Sequence, residues 1–207
     1  DLPTELYNLD ILDGSPPCST FSMAGSREKA WGKSKQFREG QAMQTLDDLV
    51  FVYCDTIIKL QPKVFLLENV KGIIQGNAKA YSKAIVKKMQ AAGYTVQVFC
   101  LNAASMGVPQ KRERVFFIGH KKEFLLPKLE LAFNEKSVTF GEIEHCDLKN
   151  DLTDFAYNGW IKAKQGKPIG TFMSDLKFSN SEVPQTIRSN GSAYHSTQPR
   201  HLSRLEL

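Results

Sequence analysis

The stretch TLDDLVFVYCDTIIKLQPKVFLLEN, residues 45–69, carries two hydrophobic periods in succession. Thr45, with Asp48 three residues later, makes a capping-box-like start. Leu46, Leu49, Val50, Tyr53, Ile57 and Leu60 then recur at helical spacing, and Pro62 closes the helix. Val64, Phe65, Leu66 and Leu67 form a continuous apolar run of the kind found in strands covered on both faces, and it ends at Glu68-Asn69.

Working outward, residues 8–13 (NLDILD) are a short strand candidate that runs into the glycine and prolines of GSPPCSTFS. Residues 23–43 hold few apolar side chains and many charges, among them Arg27, Lys29, Lys33, Lys35 and Arg38, and read as a long loop. Loops of that length within a compact domain are usually functional. Downstream, 78–92 fits a second helix, with Tyr81, Ala84, Ile85 and Met89 on one face and Gly93 as its stop. Strand candidates 94–101 (YTVQVFCL) and 114–119 (RVFFIG) follow, separated by NAASMGVPQKRE. The order strand, loop, helix, strand, helix, strand, strand predicts an α/β layer with a largely parallel sheet. Ligands in such sheets collect beyond the carboxyl ends of the strands. Cys18 and Glu68 are each expected just past such an end, facing one crevice. From about residue 121 the texture becomes polar and weakly periodic. Residues 121–185 read as a small accessory region, and 186–207 as a basic, hydroxyl-rich return in which a helix starts near Ser203.

Composition narrows the function classes. The chain has 207 residues, 42% hydrophobic and 24% charged, which excludes wholesale disorder. No apolar run is long enough to span a bilayer, and the start lacks the basic and apolar segments of a secretory signal. Lys and Arg total 27 against 22 acids, a formal +5, which fits an anionic partner such as nucleic acid without requiring one. Cys18, Cys54, Cys100 and Cys146 show no CxxC spacing. That argues against a zinc knuckle or a disulfide framework and for a reducing compartment, with no metal expected.

Three short segments can carry chemistry. In Gly14-Ser15-Pro16-Pro17-Cys18-Ser19 two prolines force a rigid, extended approach and present the cysteine in a fixed direction. A buried structural cysteine after a tight turn fits the same residues. Glu68, after four apolar residues, is either an edge carboxylate reaching water or a group held in a cleft as a proton donor. In Gln110-Lys111-Arg112-Glu113-Arg114, the two arginines alternate by two, so on a strand both point to one face with Glu113 opposite. Such a face suits an anionic or carbonyl-bearing ligand; a solvated turn is the plainer reading.

In this order, GSPPCS, Glu68-Asn69-Val70 and QKRERVFFIG together resemble the DNA cytosine-5 methyltransferase family, of the prokaryotic or phage modification type. They resemble its Pro-Cys nucleophile, Glu-Asn-Val and Gln-x-Arg-x-Arg motifs. Arg200-His201-Leu202-Ser203…Glu206 resembles the start of the motif after the target recognition region, and TLDDLVF at 45–51 loosely resembles the helix flanking the cofactor. The resemblance covers most of 9–120 and resumes near 186. No Phe-x-Gly-x-Gly segment precedes Leu9, and no closing Gly-Asn motif is found. The sequence therefore looks like the middle of such an enzyme, missing both ends of its cofactor half, and the piece alone is expected to be inactive.

The resemblance implies an incomplete, Rossmann-like S-adenosylmethionine-dependent methyltransferase sheet. It divides the chain into 1–120 (catalytic), 121–185 (target recognition) and 186–207 (return to the catalytic domain). It implies Cys18 as the nucleophile on cytosine C6, Glu68 at N3 and the exocyclic amine, Arg114 at O2, and Arg112 in support. Pro17 and Leu49 would border S-adenosylmethionine. Ser19, Lys33, Lys35, Arg38, Gln110 and Arg200 would contact double-stranded DNA, with Trp31 and Phe37 as apolar elements of the same loop. Asn158, Trp160, Lys162, Lys164 and Lys167 are the DNA-contact candidates of the recognition region. A monomer in a prokaryotic or phage-infected cytoplasm, serving restriction-modification, is implied as well. Two rivals stay open: a transfer-RNA-methylating branch of the same fold, and a methyltransferase-like DNA-binding module without catalysis. A cysteine hydrolase is disfavoured, because none of His120, His145, His195 and His201 is spaced to pair with Cys18.

Overall fold

The structure is a computed structural model that describes residues 2–17, 46–144, 152–169, 176–186 and 193–194. Helix α1 (Leu46–Leu60) forms because Val50, Cys54, Ile57 and Leu60 recur on one face, and all four are buried. Two devices end it. Gln61 takes φ 50° while its N–H still reaches the Ile57 carbonyl at 2.8 Å, and Pro62 has no N–H with which to continue. The expected cap at Thr45 lies outside the described residues.

Strand β1 (Ile11–Gly14) and strand β2 (Val64–Val70) pair in parallel, Ile11 opposite Val64 and Gly14 opposite Leu67. After a short 3-10 segment, helix α2 (Lys79–Ala91) lays Ile85 and Met89 on the core. It stops at Gly93, whose φ of 94° is open to glycine at no steric cost. Strand β3 (Tyr94–Asn102) and strand β4 (Glu113–Lys121) complete a four-stranded sheet in the order β1-β2-β4-β3.

Two expectations need correction. The sheet is mixed: β1 and β2 are parallel, whereas β2 and β4 are antiparallel, with Val64 opposite His120 and Val70 opposite Arg114. A parallel return needs a crossover, usually a helix; α1 and α2 serve as crossovers, but the connection from β3 to β4 contains no α-helix. The second concerns Glu68, which lies inside β2 rather than past its end. The apolar run stops at Leu67, but β4 keeps pairing with β2 through Val70, and that ladder extends the strand.

The core of this layer is Phe65 and Leu67 of β2, Val115 and Phe117 of β4, Ile73, Tyr94 and the inner faces of α1 and α2. Tyr94 packs edge-on against Phe65 (centroids 5.2 Å, 72°), and its hydroxyl donates to the Pro62 carbonyl at 2.7 Å. Burial pushes that hydroxyl up to about 12.

The chain divides into two compact units, 1–101 with 113–131 and 102–112 with 132–207. The second holds helix α3 (Asp154–Lys162) and the two-residue strands β5 (Leu176–Lys177) and β6 (Ala193–Tyr194), with Phe140 and Phe178 packed edge to face at 5.3 Å. The Thr153 side chain caps α3 by accepting from the Ala156 N–H. The other end of α3 is capped by Lys177, whose ammonium donates to the Trp160 and Ala163 carbonyls at 3.2 Å each and sits 3.8 Å from the Trp160 ring centroid. Burial holds the Lys177 ammonium below the ordinary lysine range.

Candidate active site

Register decides the geometry of the site. Glu68 lies opposite Phe116 in the antiparallel ladder, and Arg114 is two residues before Phe116, on the same face. Glu68 and Arg114 are thus diagonal cross-strand neighbours, within reach of long side chains. Arg114 Nε meets Glu68 Oε1 at 2.8 Å, and the side chains keep 21% and 27% of their exposure, so the pair is neither sealed nor fully solvated. One Nη of Arg114 donates to the Glu113 carbonyl at 2.8 Å. Among the described residues, Glu68 Oε2 and the remaining guanidinium N–H groups take no partner. A carboxylate oxygen and a fan of fixed donors therefore lie side by side, an edge that can bind an amine and a carbonyl of one planar ligand. Lys71 and Glu113 pair beside it at 2.7 Å, and that hydrogen bond holds the Lys71 ammonium above the ordinary range.

The segment leading to Cys18 is held at its start. Tyr53 of α1 places its hydroxyl 3.0 Å from both the Leu12 and the Leu66 carbonyls, bridging β1 and β2. Its ring fills the space at Gly14, where any Cβ would overlap it. Asn69 is buried. Its Oδ1 accepts from the Val70 N–H at 2.9 Å, and its Nδ2 donates to the Pro16 carbonyl at 3.3 Å.

The structure places the sequence-derived candidates unevenly. Glu68 and Arg114 come together. Pro17 is exposed at the end of its segment, and Leu49 is half-buried on α1. Arg112 precedes β4 and lies in a turn, its N–H donating to the Gln110 carbonyl at 2.9 Å and its own carbonyl accepting from Ala103 at 3.0 Å. Gln110 and Arg112 belong to the second unit. There Asn158, Lys162, Lys164 and Lys167 are exposed, while the Trp160 ring lies under Lys177. Cys18, Ser19, Trp31, Lys33, Lys35, Phe37, Arg38 and Arg200 lie outside the described residues, as does Cys146.

The two described cysteines are not activated. Burial pushes the Cys54 thiol up to about 11, and desolvation followed by the Glu113 carboxylate raises that of Cys100. Both stay protonated near neutrality, and a thiol is a poor nucleophile compared with its thiolate. No cluster of three metal-ligating side chains occurs among the described residues, and no helix there is long and apolar enough to cross a membrane. Sequence reasoning placed Tyr53 on a helix face and Asn69 in the Glu-Asn-Val segment but gave neither a role in the site. Asn69 does leave a trace, since it is the one polar residue among the three buried positions of β2, after Phe65 and Leu67.

Residues 2–201 match the C-5 cytosine-specific DNA methylase family. The type II methyltransferase M.XorII of Xanthomonas oryzae pv. oryzae is 32% identical over 169 residues, 78% of this chain and 35% of that protein. The type II methyltransferase M.DdeI of Desulfomicrobium norvegicum is 30% identical over 208 residues, 99% of this chain and 45% of that protein. The chain thus spans less than half the length of these relatives. A solved structure described as a DNA modification methyltransferase encoded within an E. coli prophage is similar in fold, with TM-score 0.66 at 19% identity over 95% of this chain and 66% of that one. With nearly its whole length matched by the family model, the chain belongs to the C-5 cytosine-specific DNA methylase family.

Proposed function

We propose that the intact protein is a DNA cytosine-5 methyltransferase of restriction-modification or phage type, working as a monomer in a prokaryotic or phage-infected cytoplasm. The Glu68–Arg114 edge carries this reading. Cytosine presents an exocyclic amine donor and the N3 and O2 acceptors along one edge. Glu68 receives the amine and contacts N3, and Arg114 donates to O2. That edge is occupied by guanine in a duplex, so the base must be flipped out, at a cost of a few kcal/mol.

The Cys18 thiolate forms a bond to C6, and the electron pair displaced towards C5 spreads over N3 and O2. Glu68, acting as the proton donor, delivers its proton to N3 and Arg114 donates to O2, so that the charge is neutralised by preorganised groups rather than by water. Bound S-adenosylmethionine would supply the methyl group for C5 and leave as S-adenosylhomocysteine; the C5 proton would pass to solvent water, and elimination of Cys18 as thiolate, with return of the N3 proton to Glu68, would restore the ring. Pro17, exposed, and Leu49, half-buried, suit the apolar border of that cofactor, although neither carries a polar anchor. Arg112 supports the pocket. Ser19, Lys33, Lys35, Arg38, Gln110 and Arg200 grip the DNA, and 121–185 selects the target site.

The test uses the full-length protein with a duplex carrying 5-fluorocytosine at the target, whose C5 fluorine cannot leave as the proton does. The native protein gives a complex stable to SDS; Cys18→Ala gives none while still binding DNA. A stable complex with Cys18→Ala, or no adduct and no methylation with the native protein, overturns the reading.

A further inference from the structure

We propose that the lysine row on the exposed face of α2 binds the phosphate backbone of a second DNA segment while the target segment is held at the Glu68–Arg114 edge. The inference rests on the methyltransferase reading above. Helix α2 reads KAYSKAIVKKMQA, four lysines and no acid in 13 residues. The Lys88 ammonium meets Asp55 of α1 at 2.7 Å. Lys79, Lys83 and Lys87 stand at i, i+4 and i+8, all exposed, and their ammonium groups take no partner among the described residues. Such spacing gives a row about 12 Å long, over which one strand of a duplex presents about three to four phosphates. The other exposed residues of the helix are Ala80, Ala84, Gln90 and Ala91. Three of these four stop at Cβ, so a nucleic-acid backbone can come close enough for the lysines to reach it.

A merely solvated helix face is better served by acids four residues from its lysines, which stabilise the helix. Here like charges stand at that spacing, and Lys79 lies in the first turn, at the positive end of the helix dipole. Both placements cost helix stability, and a polyanion laid along the row offsets both. The row also lies behind the layer from the target edge. Phe65 and Leu67 pack with α1 and α2, so Glu68, next to Leu67 in the strand, faces the other way. Ile85 and Met89 hold the inner side of α2 on the core, which turns the lysines outward. Duplex DNA is stiff over about 150 base pairs, so the segment engaged at Glu68 does not bend round to α2. The row meets a separate segment, and holding two at once lets the protein pass between them without being free in solution.

The experiment loads full-length protein on a short fluorescent target duplex and chases it with unlabelled duplex in stopped flow. For native protein the release rate should rise with competitor concentration, because the incoming duplex binds before the first one leaves. The triple variant Lys79→Gln, Lys83→Gln, Lys87→Gln keeps the helix propensity of lysine, so the fold is preserved. Its dependence on competitor should be about tenfold weaker, with target affinity and single-turnover methyl transfer within about twofold of native. The triple arginine variant, Lys79→Arg, Lys83→Arg, Lys87→Arg, should restore the native dependence. A native release rate that ignores competitor overturns the inference, as does a loss that arginine does not restore. So does a native dependence in the glutamine variant, which leaves the row to water or to an acidic protein. Native protein that neither binds nor methylates the target duplex overturns the methyltransferase reading itself, so the two failures are told apart.

Discussion

Arg114→Ala tests whether Glu68 and Arg114 act as one unit. At 2.8 Å the pair has a gross Coulomb attraction of about 6 kcal/mol at an effective dielectric of 20. Most of this is offset by desolvation and by the side-chain entropy lost in ordering the pair. A hydrogen bond to a charged group nets roughly 1.5–3 kcal/mol, and side-chain exposures of 21% and 27% bring the expected coupling to about 1–2 kcal/mol. In a double-mutant cycle of Arg114→Ala, Glu68→Gln and both, thermal melting should give that coupling, roughly 2–8 °C in midpoint for a chain of this size. Turnover should behave differently. Each single change removes stabilisation that exists only while charge sits on the ring, worth about 10²- to 10³-fold. Residues acting as a unit are non-additive, so the double variant should be little worse than either single one. The assay is single-turnover transfer of a labelled methyl group at saturating DNA and cofactor. Rate losses that multiply in the double variant, together with zero coupling in melting, would refute the shared role.

Other outcomes can be stated briefly. Lys33→Ala should leave the saturated single-turnover rate near native while weakening DNA binding and lowering the slope of log affinity against log salt by about one, as read by fluorescence anisotropy across a salt series. Gly119→Ala places a methyl group in the Phe65 ring, its cross-strand partner, and should cost about 1–3 kcal/mol in melting; an unchanged midpoint would mean that the sheet yields there. Tyr53→Phe removes the hydroxyl bridge between β1 and β2 and should slow adduct formation with 5-fluorocytosine more than it lowers the melting midpoint. The Glu142 carboxyl is held below its ordinary 4.5 first by the Thr139 backbone N–H and then by the Lys136 ammonium. Its contribution is therefore complete above that value and disappears as pH falls through the lowered one, so the protection factors of amides 139–143, taken against their intrinsic exchange rates, should fall on acidification; a pH-independent protection would contradict this.

Much of the fold was legible because it depends on local periodicity. The α1 face at Val50, Cys54, Ile57 and Leu60, the stop at Pro62, the α2 stop at Gly93 and the strands flanking 102–113 all follow from spacing and from residues with restricted or permissive backbones. The family was legible too, in the order of the Pro-Cys, Glu-Asn-Val and Gln-x-Arg-x-Arg segments. Helix α3 was not: Asn158 and Gly159 interrupt its pattern, and its ends are secured by the Thr153 side chain and by the distant Lys177.

Tertiary structure alone decided which residues meet. Direction of pairing is a property of two strands, and no period within β4 could say that it would run against β2. Yet that direction sets the register, and the register puts Arg114 diagonal to Glu68 and keeps Glu68 inside the strand. Asn69 and Pro16 stand 53 residues apart, and nothing local in either reports the hydrogen bond between them. Spacing along a chain determines which face a side chain occupies; only the neighbouring strand determines what that face meets.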